Sequence, residues 1–193
     1  MIAQGRDLDI VTQAQSLDVY ATVRDDLKRL AFASYTIELI DRFTAELQEA
    51  GEMYTLLRWT LTLLNEDAEP ERLARYVELK VLELAGYQPE LRRCTSCKRE
   101  IVAEDQFFSL VDGGVVCPRC ADARSGLIAI GVDALKYLRY FQSQPWSKVA
   151  TLRISTATLA EMEYVLQRYI VTLLERQLKS VEFLKLIRRQ AAP

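Results

Sequence analysis

Histidine is absent from the 193-residue chain, and with it the side chain that most often carries general acid–base work near neutral pH. A Ser-His-Asp triad, a Cys-His pair and a His-ligated catalytic metal are all excluded. Glycine is scarce as well. The seven glycines stand at positions 5, 51, 86, 113, 114, 126 and 131, and none falls into GxxxxGK[ST] or GxGxxG. The familiar loops that cradle nucleotide phosphates are therefore missing, and the expectation is a protein that is not an enzyme.

Long apolar runs are missing too. The opening MIAQGRDLDI has no apolar stretch of the kind a secretory signal needs. The run from Leu56 to Leu64 is broken by Arg58 and two threonines, well short of the ~18 residues that span a bilayer. A cytoplasmic protein without a membrane partner is expected. Apolar residues make up 50% of the chain and charged ones 27%, a globular mixture. The net charge of −2 argues against a uniformly basic chain but not against a basic face. Such a face belongs in the second part, since residues 94–193 carry an excess of Lys and Arg while residues 1–93 carry an excess of Asp and Glu.

Most of what is present reads as amphipathic helix. Asp9 to Thr12 alternates like a short strand, with Leu8 and Ile10 apolar. From about Leu17 to Leu47 the period predicts one long helix with Leu27, Leu30, Ser34, Ile37 and Leu47 on its apolar side, closing near Gly51. A second helix runs from about Met53 to Leu64, ending at Asn65-Glu66-Asp67. A third starts at Pro70 between two glutamates and stops at Gly86, with Leu73, Val77, Val81 and Leu84 as its stripe. Helical pattern returns from Val132 to Phe141. Thr158-x-x-Glu161 resembles a capping box opening a long, widely apolar helix through Met162, Val165, Leu166, Tyr169 and Ile170, and Ser180 restarts a shorter one with Phe183, Leu184 and Ile187. Ordinary helix packing accounts for each of these stripes.

Four cysteines carry the most specific pattern. Cys94, Cys97, Cys117 and Cys120 form CxxC-x19-CxxC, inside the spacing of tetrahedral zinc sites. Four thiolates leave no open position, so a Zn2+ ion here would be structural. The intervening Phe107-Phe108, Asp112-Gly113-Gly114 and Val115-Val116 predict a hairpin that brings the two pairs together. Zinc knuckles often carry glycine after the second cysteine, where Lys98 and Ala121 stand. Rubredoxin-like iron shares this ligand set; two disulfides or a redox pair suit the expected compartment and context less well.

Basic residues form a second candidate site. Arg168, Arg176 and Lys179 fall within roughly an 80° sector if the long helix continues through them, and Lys185, Arg188 and Arg189 follow. This set is a candidate phosphate-tracking stripe, though a merely solvated basic face fits as well. Arg92, Arg93, Lys98, Arg99, Arg119 and Arg124 crowd the cysteine segment but are offset by acids and by the charge of a four-thiolate metal centre.

Taken in order, several segments together resemble the RecO recombination-mediator family: Gly5-Arg6-Asp7-Leu8-Asp9-Ile10-Val11-Thr12-Gln13-Ala14, Leu27-Lys28-Arg29-Leu30-Ala31-Phe32-Ala33-Ser34-Tyr35, Leu84-Ala85-Gly86-Tyr87-Gln88-Pro89-Glu90-Leu91 ahead of Cys94, Phe108-Ser109, Gly113 to Cys117, and Leu178-Lys179-Ser180 with Phe183-Leu184. The resemblance implies a DNA repair protein that binds single- and double-stranded DNA, anneals complementary strands and, with RecR, helps RecA displace single-strand-binding protein. It implies RecR and the C-terminal tail of single-strand-binding protein as partners, RecA as an indirect one, and association with the nucleoid. The family fold is an OB barrel followed by a helical domain with an inserted zinc finger. The expected architecture is therefore mainly α. Residues 1–15 would be a remnant β-strand of a barrel otherwise missing. A helical bundle over 16–90 and 127–193 would carry a four-cysteine zinc ribbon at 91–126. The competing expectation is a zinc-stabilised protein-interaction scaffold with no DNA binding of its own.

Overall fold

The computed structural model describes residues 2–4, 10–44, 50–66, 68–122 and 124–191. Strand β1 (Ile2–Ala3) pairs antiparallel with β2 (Ile10–Val11). The strand expected over Asp9 to Thr12 is thus present at its centre; Gly5 to Asp9, Leu8 among them, lie outside the described residues.

The long helix expected from Leu17 to Leu47 is two helices, α1 (Ala21–Asp25) and α2 (Leu27–Phe43). Asp26 makes the break. Its backbone is extended, at φ −112° and ψ 111°, and its carboxylate accepts the N–H groups of Lys28 and Arg29 at 2.8 and 3.1 Å. A side chain that satisfies the first free donors of the next helix is the chemistry of an N-cap. The apolar side is also different. Leu27 and Ile37 are exposed, Leu30 and Ser34 half-buried, and Leu47 lies outside the described residues, whereas Ala31, Phe32, Tyr35, Leu39 and Ile40 are buried. The buried side is set by helices packed along α2 from elsewhere in the chain.

Helix α3 (Gly51–Asn65) begins at Gly51, which opens this helix and does not close the preceding one. Helix α4 (Pro70–Leu84) starts as expected. Glu69 caps it by accepting from Glu71 and Arg72 N–H at 3.0 and 2.9 Å, and Pro70 occupies the first turn, where no N–H is needed. Gly86, at φ +80°, turns the chain away. Leu73, Val77 and Val81 are buried, and Leu84 lies at the rim.

The expected hairpin forms from β3 (Gln106–Ser109) and β4 (Gly114–Val116), with Phe108 opposite Val115. The one-turn helix α5 (Pro118–Ala121) follows. A third strand, β5 (Leu127–Ile130), has no counterpart in the sequence reading; it pairs with the other edge of β3, giving the order β4-β3-β5. Four apolar residues in a row carry no distinguishing period, so only the partner strand reveals them.

Helices α6 (Val132–Ser143), α7 (Trp146–Val149), α8 (Thr156–Leu174) and α9 (Lys179–Ala191) complete the chain. The cap of α8 is Ser155, three residues before the expected one: its Oγ accepts from Thr158 N–H at 3.1 Å. Glu161 instead accepts from Gly131 N–H at 2.6 Å, tying α8 to the start of α6. The larger apolar core joins the helices to the sheet, with Phe32, Leu39, Leu82, Phe141 and Ile170 packed into one cluster with Phe108, Val115 and Ile130.

One charged network crosses that core. Tyr35 donates to Glu78 Oε1 at 2.5 Å, and Arg75 donates to the same oxygen at 2.7 Å while pairing with Glu163 at 2.7 Å. Tyr35, Arg75 and Glu78 are all about 1% exposed or less. Burial raises the Glu78 carboxyl to about 7 despite the opposing pull of Arg75.

Candidate metal centre and basic groove

The two cysteine pairs are built differently. In the first, Cys94 N–H donates to Arg99 O and Lys98 N–H to Cys94 O, both at 2.8 Å. That turn puts Lys98 in the left-handed region at φ +62°, the conformation for which glycine is ordinarily used there. In the second, Cys117 precedes α5, with Pro118 at its first position, and the N–H groups of Cys120 and Ala121 both reach Cys117 O, at 2.9 and 3.1 Å. Ala121 is therefore helical and has no need of glycine.

Together the pairs bring four free thiols into one small volume, all Sγ atoms lying within 4.8 Å of one another. Cys97 and Cys117 Sγ are 3.9 Å apart, close to the ~3.8 Å edge of a tetrahedron of sulfurs with Zn–S bonds near 2.3 Å. Cys117 N–H points at Cys94 Sγ at 3.4 Å. Burial raises the Cys94 thiol, but N–H groups of Cys97, Cys117 and Ser96 outweigh it and draw it down to about 6. Hydrogen bonds from Cys117 and Cys97 push the Cys120 thiol up to about 12. A thiol drawn down in this way beside three closely spaced thiols fits a soft divalent cation held by four sulfurs.

The segment carrying the cysteines is fastened to the helices at the double glycine. Glu90 N–H donates to Gly113 O at 2.9 Å, and Val115 N–H to Glu90 O at 2.8 Å. A side chain at Gly114 would meet Glu90 O at 2.5 Å, and one at Gly113, which has φ +65°, would strike the Tyr169 hydroxyl. Arg124, just past the second pair, donates to Asp112 of the same turn at 2.5 Å and to Ser96, inside the first pair, at 2.8 Å. Arg139 and Gln142 of α6 donate to Leu91 O and Pro89 O at 2.7 and 2.8 Å. Nothing in the sequence signals these last two residues, which lie about fifty positions from their acceptors.

The basic residues do not share one helix. Helix α8 ends at Leu174, and Glu175 follows at φ +53°. Arg168 is on α8, Arg176 on the connector, and Lys179 opens α9, with Lys185, Arg188 and Arg189 along it. The angular sector drawn through the first three therefore has no structural meaning. Helices α8 and α9 enclose a groove of about 360 Å³ with Leu110, Val171, Leu178 and Val181 in its lining. Arg168 and Lys185 line the same groove. Arg168 lies 5.5 Å from the Tyr164 ring centre. Arg188 is engaged elsewhere, donating through both terminal nitrogens to Glu163 at 2.7 and 2.8 Å. The apolar lining, drawn from four separate segments, is the part that sequence reasoning missed.

The profile of the family described as "Recombination protein O C terminal" matches residues 24–182. The DNA repair protein RecO of Roseiflexus sp. (strain RS-1) is 40% identical over 189 residues, covering 98% of this chain and 67% of that protein. The DNA repair proteins RecO of Symbiobacterium thermophilum and of Dehalococcoides mccartyi (strain ATCC BAA-2266 / KCTC 15142 / 195) are 36% and 33% identical, each covered over 74% of its length by 95% and 97% of this chain respectively. These relatives are longer than the chain.

Proposed function

The chain belongs to the RecO recombination-protein family, and from that membership we propose that it works as a mediator of DNA repair, binding DNA and partner proteins without catalysing a reaction. Its place in DNA repair and recombination follows from the family. The observation that carries the finer reading is the groove between α8 and α9, where Arg168 and Lys185 border an apolar floor. Arg176, Lys179 and Arg189 are exposed nearby in the chain and extend the positive charge. Such cations hold phosphates without reading bases, which suits single and double strands alike, and by neutralising backbone repulsion they favour annealing. RecR joins the complex and RecA is loaded through it.

The same groove fits the acidic, apolar-ended tail of single-strand-binding protein. An apolar side chain enters between Val171 and Val181 while Arg168 and Lys185 pair with carboxylates. Tail and DNA then use the same two cations and exclude each other. A Zn2+ ion on Cys94, Cys97, Cys117 and Cys120 supports the fold and touches neither ligand.

The scaffold reading draws on the commitment of Arg188 to Glu163, which removes one cation from the DNA face. Fluorescence anisotropy separates the two. A labelled tail peptide should bind with an affinity that falls as salt rises, lose most of it without its terminal apolar residue, and be displaced by single-stranded DNA. Binding that DNA cannot compete away, with no DNA binding of its own, would overturn the mediator reading in favour of the scaffold.

A further inference from the structure

A second depression, of about 290 Å³, opens between the cysteine segment and α6. Three cations line it: Arg92 from the approach to the first cysteine pair, and Lys136 and Arg139 from one face of α6. Arg139 is half-buried, and its Nε is held by Leu91 O at 2.7 Å. That bond fixes the guanidinium plane and leaves one terminal nitrogen buried with no hydrogen-bond partner. Burial, and then the charge of Arg92, both weaken the hold of Arg139 on its proton. Among the described residues none of the three cations forms an ion pair. Glu90, whose charge partly offsets that of Arg92 at Arg139, spends its Oε1 on the N–H groups of Arg92 and Arg93, at 2.7 and 3.1 Å.

A fold that gathers three positive charges, buries a donor of one of them and pairs none of them with a carboxylate is complementary to an anion. The charge chooses which kind. A carboxylate brings one charge and two acceptor atoms, whereas a phosphate monoester brings about two charges and three acceptor oxygens. We propose that this depression binds a phosphate monoester, with Arg92, Lys136 and Arg139 taking its oxygens and Val132 and Tyr140 bordering the carbon skeleton. The phosphate comes either from the 5′ end of a DNA strand or from a free nucleotide. The site stands whether or not the α8–α9 groove carries DNA.

The test uses the whole chain and inorganic phosphate. At matched ionic strength, phosphate should raise the thermal unfolding midpoint saturably over chloride. Arg92 and Lys136 are exposed, so Arg92→Ala with Lys136→Gln should leave circular dichroism unchanged while weakening phosphate binding by at least about tenfold, the least expected when two charge-assisted contacts are removed. A midpoint indifferent to phosphate, or equal binding by the folded double variant, would overturn the site. Two further arms name the source. A 5′-phosphorylated oligonucleotide bound about tenfold tighter than its 5′-hydroxyl twin assigns the strand end. Equal binding of the twins with a nucleoside 5′-monophosphate bound tighter than inorganic phosphate assigns the free nucleotide. A glutamate-rich peptide that binds here where phosphate does not would replace the proposal with a protein partner.

Discussion

Tyr169 stands edge-on against Phe108, with 5.5 Å between ring centres, and its hydroxyl donates to Tyr87 O at 3.2 Å. One residue of the longest helix thus closes the seam between the cysteine-bearing segment and the helical body. Phe108 is fully buried, so Phe108→Ala should lower unfolding free energy by about 3–5 kcal/mol. Tyr169→Phe keeps the ring and loses only the hydrogen bond, at about 1 kcal/mol. Urea titrations of both variants measure this. Equal losses would show that the hydroxyl, and not the ring pair, holds the seam.

Elemental analysis of purified protein should find one zinc per chain. A zinc content near zero with four titratable thiols would remove the metal. Cys117→Ser should lose the metal and open β4 and the two cysteine turns to hydrogen exchange, while α2, α4 and α8 stay protected, because the helices pack on their own apolar faces. The thermal midpoint should still fall, since Val115 and Ile130 belong to the shared core.

The bidentate hold of Arg188 on Glu163 gives Arg188 a structural task. Arg188→Ala should destabilise the protein by about 1–2 kcal/mol, a value moderated by the partial exposure of the arginine, and should change DNA affinity little. Arg168→Glu with Lys185→Glu should do the reverse. A strong DNA defect in Arg188→Ala at unchanged stability would return that residue to the DNA face.

Two phosphate contacts removed together change a salt slope in a known way. For Arg176→Glu with Lys179→Glu, log affinity against log salt should flatten by about 2 units, at ~0.9 per contact on duplex DNA. The loss should be similar for unrelated sequences. Unchanged binding would put the contacts elsewhere on the chain.

Glu78 makes stability depend on pH. Its carboxyl titrates at about 7 in the fold against an ordinary 4.5, so the folded state holds the proton more tightly than the unfolded chain. Its contribution is complete below about pH 4.5 and lost as pH rises through 7. Glu78→Gln keeps a neutral partner for Tyr35 and Arg75. The stability of the variant should therefore decline less than wild type between pH 5 and 8, as measured by urea titration at each pH. Parallel curves would show that Glu78 is ionised throughout.

The cysteines and Gly113-Gly114 were legible because their chemistry is local: a metal ligand spacing and a tight turn need no partner to be recognised. The start at Pro70 and the stop at Gly86 are local for the same reason. The buried side of α2 was not, since Leu27 and Ile37 satisfy the helical period as well as Phe32 and Leu39 do, and only neighbours from distant segments choose between them. Strand β5 was hidden likewise until β3 lay beside it. Lys98 shows the opposite case, a departure from glycine that the fold absorbs without changing the turn. Of the basic residues, sequence placed the charges but not their engagements, because the carboxylate that claims Arg188 sits 25 positions away.

Glu38 of α2 accepts the N–H of Lys179 at 3.1 Å and both the N–H and hydroxyl of Ser180, at 2.8 and 2.6 Å. The cap of α9 is therefore supplied from more than 140 positions earlier in the chain. During synthesis Glu38 leaves the ribosome long before the helix it caps, and α9 packs along α2 in the finished fold. The α8–α9 groove therefore cannot form until residues more than 140 positions apart are both present. A nascent chain halted before Lys179 would display an uncovered Phe32 flank to chaperones and hold neither DNA nor a tail peptide in that groove.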